Sequence, residues 1–127
     1  MQRQEGKDQS LVGLINKLKT LKYDLRDLDQ SNQSVLTEDE KYPIPILLQQ
    51  KYRSIAIGLK QMGVSTPTMD GLYGRTYTGV VITFIDTVVP YLSAGQVSDA
   101  RREAVQFTNV FNLNKQSLLE SLAGTQA

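Results

Sequence analysis

The chain has neither cysteine nor histidine among its 127 residues. Disulfides, thiol nucleophiles, zinc sites built on Cys or His, and acid–base pairs built on imidazole are therefore excluded. Tryptophan is also absent, and aromatic residues make up only 7% of the chain. No long basic run exists, and 14 basic against 13 acidic residues leave a net charge of +1, so nothing draws the chain strongly to nucleic acid. The longest apolar run, residues 44–48, is far too short to span a bilayer, and no membrane insertion is expected. The first eight residues are polar and lead to no apolar segment, so no secretory signal is expected and localisation stays open.

What is present reads as an ordinary folded chain. Forty per cent hydrophobic and 21% charged residues can build a core and solvate its surface. Leucines fall at positions 11, 14, 18, 21, 25 and 28, in alternating steps of three and four. That is the seam spacing of a left-handed coiled coil, and Leu11, Leu14, Leu18, Leu21, Leu25 and Leu28 are read as an oligomerisation seam, with Ser10 as its N-cap. The competing reading is one amphipathic helix lying on its own domain.

Residues 31–45 read as a linker, because Pro43 and Pro45 disfavour helix, although Thr37 and Glu40 match a capping box. Residues 47–62 carry apolar side chains at 48, 52, 55, 59 and 62, the period of a helix with one buried face. Gly63 is placed to end that helix in a left-handed conformation. A loop follows, with the turn pair Asp70-Gly71. Propensity alone reads residues 80–85 as a strand, with Pro90 closing the segment 75–89. A last helix is expected from Ser98 to about Leu113, with Ala104, Val105, Phe107 and Phe111 inward. A helical extension over 115–122 and a loose tail end the chain.

Several of these blocks together resemble the peptidoglycan-binding domain of cell-wall hydrolases. The family reads in outline as a helix ending Leu-x-x-x-Leu-x-x-Leu-Gly-aromatic, then Val-Asp-Gly-x-Phe-Gly, a helix with Ala-Val-x-x-Phe, and Gly-x-Val-Asp before a final helix. This chain has Ile55, Leu59, Met62, Gly63 and Val64 in the first block, then Met69-Asp70-Gly71-Leu72-Tyr73-Gly74. Val80-Val81-Ile82-Thr83-Phe84 follows, and Gly95-Gln96-Val97-Ser98 leads to Ala104-Val105. The resemblance covers residues 52–107 and implies a helix, not a strand, over 80–85. It implies Tyr73 as an aromatic plug and Phe84 as a core ring. Departures are Tyr77 where the family usually has Thr, Ile85 where it has Gln, and Arg101-Arg102 where it has Thr-Trp.

The resulting expectation is an all-α chain: a coiled-coil helix over 1–30, a linker over 31–45, a small three-helix peptidoglycan-binding-like domain over 46–113, and an extension and tail over 114–127. Gly63, Gly71 and Gly74 are the structural loop residues, since glycine supplies positive φ without strain. Asp70 is expected to accept backbone amides and fix the turn, and Arg75 to offer a guanidinium to a carboxylate. Asp70, Tyr73, Arg75 and Tyr77 are the ligand-binding candidates, while Arg101, Arg102 and Glu103 read as a solvated face. Only Asp86 lies near apolar sequence, without an evident partner, so no catalytic pair, metal site or cofactor is expected. The functional expectation is a non-catalytic wall-binding module displayed as an oligomer, in the setting of a bacteriophage virion or lysis apparatus. Its expected partners are peptidoglycan, further copies of itself and other virion proteins. The alternative keeps the fold, drops wall binding, and makes the chain a structural protein–protein interaction subunit of a phage particle or other assembly.

Overall fold

A computed structural model describes the backbone of residues 2–33 and 42–126, and the side chains of 11–31 and 42–115. Among the described residues there are four helices and no strand. They are α1 (Gln2–Gln33), α2 (Ile46–Gln61), α3 (Gly74–Ser93) and α4 (Val97–Gln126). The capping-box turn expected at Thr37 and Glu40 lies outside the described residues.

The leucine row does not stand apart as a stalk. Leu18, Leu21 and Leu25 are at most 1% exposed within the single chain, Ile15 is buried beside them, and Leu11, Leu14 and Leu28 pack partly against the same core. The face is thus wider than a two-position seam, and it lies on α2 and α3. This corrects the separation of residues 1–30 from the head. Ser10 is interior to α1 rather than its cap, and the helix continues through residues 31–33 of the expected linker.

Cross-helix pairs fix the direction of packing. Lys51 Nζ approaches Asp24 at 3.5 Å and Gly58 faces Leu14, while Lys22 pairs with Asp86 and Arg75 with Asp29. Position numbers rise on one helix as they fall on the other, so α1 is antiparallel to both α2 and α3. It follows that α2 and α3 run parallel to each other. Asp86 therefore has a basic partner that no local sequence pattern reveals.

α3 is the central helix. Tyr77, Thr78, Val81, Phe84, Ile85, Val88 and Leu92 are buried, at intervals of one, three and four residues. That period overrides the strand propensity of the Val- and Thr-rich stretch, since tertiary burial outweighs intrinsic preference. Thr83 and Thr87 donate their hydroxyls to the carbonyls of Gly79 and Thr83, at 2.7 and 2.8 Å, which suits them to a helix exterior. Pro90 does not close the helix. It sits exposed in the last turn, where one lost amide bond is offset by burial of Leu92.

α3 ends instead at Gly95 (φ 75), where Gln96 N–H reaches the Tyr91 carbonyl at 2.8 Å and Gly95 N–H that of Leu92 at 3.0 Å. This is a Schellman motif. α4 then starts at Val97, so Ser98 lies in its first turn rather than at its cap. α4 continues unbroken to Gln126, through the expected boundary near Leu113 and the expected tail. It packs on α3 through Ala100 and Ala104, both fully buried, with Phe107 in edge contact with Phe84 (centroids 5.5 Å, 61°). Val105, expected inward, is 43% exposed. The core is one cluster drawn from all four helices and their connections.

Candidate functional site

Because α2 and α3 are parallel, the connection between them must travel back along the helix, roughly 24 Å for the 16 residues of α2 at about 1.5 Å rise per residue. Gly63 (φ 79) begins the return. Its N–H bonds to the Lys60 carbonyl at 2.9 Å and that of Val64 to Leu59 at 2.9 Å, a second Schellman motif with Leu59 and Val64 both buried. Arg101 is not merely solvated, since its Nε donates to the Met62 carbonyl at 2.6 Å, placing a cation at the C-terminus of α2.

The returning segment is held as a wall. Val64, Pro67, Met69 and Leu72 point inward and are buried. Tyr52 donates its hydroxyl to the Pro67 carbonyl, and Lys115 of α4 donates to the Thr68 carbonyl at 2.8 Å. The turn closes through the backbone, with Leu72 N–H to Met69 carbonyl at 3.1 Å and Gly71 (φ 82) in the third position, where a type II turn demands positive φ. Gly74 (φ 65) opens α3. Asp70 is exposed, and among the described residues its carboxylate holds no hydrogen bond that would fix this turn.

Between this wall and the outer face of α2 lies a groove of about 520 Å³. Tyr52, Met69, Leu72 and Tyr77 supply its apolar lining, Gln49, Thr66 and Thr68 its neutral polar groups. Arg53 stands on the helix side and Asp70 on the loop side, both exposed. Tyr52 and Tyr77 meet edge to face, with ring centroids 6.3 Å apart at 70°.

The four ligand-binding candidates are divided by this geometry. Asp70 and Tyr77 line the groove, whereas Tyr73 and Arg75 do not. Tyr77 is only 4% exposed, so its face is not free to stack on a sugar ring. Tyr73 is 41% exposed at the start of α3 and is no core plug. Arg75 Nε lies 3.6 Å from Asp29 Oδ1 on α1, where Tyr42 also donates to Asp29 at 2.6 Å, so the guanidinium ties the helices together. Arg53 was missed by sequence reasoning. Its spacing with Gln49 and Ile57, four residues each way, marked one helix face, but nothing local showed that the return segment lies over it.

Three tyrosines are held protonated above the usual phenol range. Burial, then the hydrogen bond to Asp29, pushes Tyr42 up to about 12. Burial also raises Tyr52, against an opposing hydrogen bond from Thr66, and raises Tyr77, against the nearby Arg53 charge. A group with its folded pKa raised stabilises the fold fully below its unfolded pKa, about 10 for tyrosine, and that contribution disappears as pH climbs through the folded value. Folding stability should therefore decline from about pH 10 towards 12. Chemical denaturation across that range checks this, and the amount by which the fall between about pH 10 and 11.5 is smaller in Tyr42→Phe than in the parent measures the Tyr42 share.

Among the described residues no cluster of three or more Asp or Glu could hold a metal ion, and no helix is long and apolar enough to cross a membrane. No family model, curated protein or solved structure matches this chain.

Proposed function

We propose that the chain is a non-catalytic binding module whose ligand site is the groove between α2 and the 66–72 wall, and that its ligand is the peptide portion of peptidoglycan. The observation that carries this reading is that one cation and one anion, Arg53 and Asp70, both line a partly apolar groove of ligand size. A wall peptide carries carboxylates and amino groups on a short, partly aliphatic chain. Arg53 suits a carboxylate and Asp70 an ammonium, while Ile57, 61% exposed on the helix side, takes the aliphatic part. The resemblance of residues 52–107 to peptidoglycan-binding domains supports the same ligand.

The oligomeric stalk is left out of this proposal, because Leu18, Leu21 and Leu25 of its seam lie inside the chain's own core and Leu11, Leu14 and Leu28 pack partly against it. Burying them again between copies would require opening the bundle.

Purified sacculi should retain the intact chain at low salt. Arg53→Gln and Asp70→Asn should each weaken retention about two- to fivefold, the worth of one exposed charged contact of roughly 0.5–1 kcal/mol. Retention that is absent, or indifferent to both substitutions, would reject the groove as a wall site.

A second reading, a structural subunit that docks other proteins, is favoured by a different observation. Val110 and Leu113 of α4 are 57% and 78% exposed and do not line the groove. Exposed apolar residues clustered on one helix suit a protein contact.

A further inference from the structure

A second cleft, of about 320 Å³, opens between α1 and α2. It lies on the opposite side of α2 from the groove, since positions 51, 54 and 55 are roughly half a turn around the helix from 49, 53 and 56 at about 100° per residue. Its floor is Leu21 and Ile55, both buried in the core. Each helix contributes one lysine to the lining, Lys17 from α1 and Lys51 from α2, and no acidic side chain lines it.

These lysines are available. Lys51 reaches Asp24 only at 3.5 Å, with side chains 45% and 36% exposed, a long and hydrated contact of little strength. Lys17 is exposed and, among the described residues, pairs with no carboxylate. A lysine carries an apolar stem below its ammonium, so two of them form aliphatic walls topped by positive charge.

We propose that this cleft binds a single-chain amphiphile with an anionic head, its alkyl chain along the aliphatic stems of Lys17 and Lys51 above Leu21 and Ile55, and its head between the two ammonium groups. Size and lining select this occupant over a partner helix. A docking helix needs a row of apolar anchors along several turns, whereas the apolar floor here is two residues, bordered by Asn16, Thr20 and Ser54. The volume sits at the small end of ligand sites. A purely polar anion would leave the aliphatic stems of the two lysines unused.

The site is independent of the groove and stands or falls without it. The test is an amide-resolved NMR titration of the full chain with decanoate below its micelle concentration. Saturable shifts centred on residues 16–21 and 51–55 are expected. Decanol and the Lys17→Gln/Lys51→Gln double variant should each bind about tenfold more weakly, the combined weight of two exposed charge contacts. The double variant should keep the parent melting temperature. If it does not, Lys17→Gln alone, which breaks no ion pair among the described residues, should still weaken decanoate about threefold. Non-saturating shifts, shifts centred on Val110 and Leu113 instead, or decanoate affinity unaltered by removal of the lysines would overturn the proposal. So would adsorption to anionic phosphatidylglycerol vesicles without binding of free decanoate, which would make the lysines a membrane-surface contact.

Discussion

Leu25→Ala should lower folding stability by about 2–5 kcal/mol and reduce the melting temperature by on the order of 10 °C. Leu25 is fully buried and belongs to the cluster that includes α3 and α2. Truncation removes three heavy atoms' worth of burial and leaves a cavity that the close-packed helices relax into only partly. The measurement separates two pictures of α1. Were the leucines an intermolecular seam, the substitution would dissociate an oligomer, leave the head's melting intact, and make the transition depend on protein concentration. Packed inside one chain, it shifts a single transition by the same amount at every concentration. A two-step melt with an unshifted upper transition would reinstate the stalk.

Phe84→Ala should be the most damaging single truncation in the chain, costing about 3–5 kcal/mol. Phe84 is fully buried on the central helix, and its ring meets the edge of Phe107 from α4. The loss therefore combines burial with an aromatic pair worth about 0.5–1.5 kcal/mol beyond its area. Against the 5–15 kcal/mol typical of a small domain, roughly, such a change leaves the fold marginal. Phe84→Leu should recover most of the burial but not the ring contact. A double-mutant cycle with Phe107→Leu, read by urea denaturation, isolates the pair. A coupling near zero would mean that the two rings contribute only as separate hydrophobes.

The two substitutions probe opposite sides of α3, and α3 itself also bears on function. The groove has Tyr77 of α3 at its base and a wall that α4 holds through Lys115 and Thr68. Loosening α3 or α4 should thus disturb ligand contacts without touching Arg53 or Asp70. Retention on sacculi is best compared among variants of matched stability.

Much of the helical content was legible along the chain. The apolar period of α2, its stop at Gly63, and the positive φ of Gly71 and Gly74 are local matters, set by side-chain spacing and by the steric freedom of glycine. Boundaries that depend on distant groups were not legible. Pro90 was expected to end α3, but burial of Leu92 carries the helix past it. Arg101 and Arg102 read as one solvated pair, yet only contact across α4 and α2 shows that Arg101 closes the end of another helix. The expected ligand-binding set is divided for the same reason, since Tyr77 and Arg75 are neighbours of the loop in sequence but are in contact with Tyr52 and Asp29 in space.

The sequence by itself determined that the chemistry of this protein proceeds without thiol or imidazole, that its periodic segments become helices, and that glycine turns separate them. Only the tertiary structure decided that α1 is part of the core and that Arg53 and Asp70 line one groove. The physical reason is that a repeat of three and four residues specifies a buried stripe but not the surface that buries it. That surface is chosen by the energy of the whole packing, where α2 and α3 stand in the same chain at no translational cost of association.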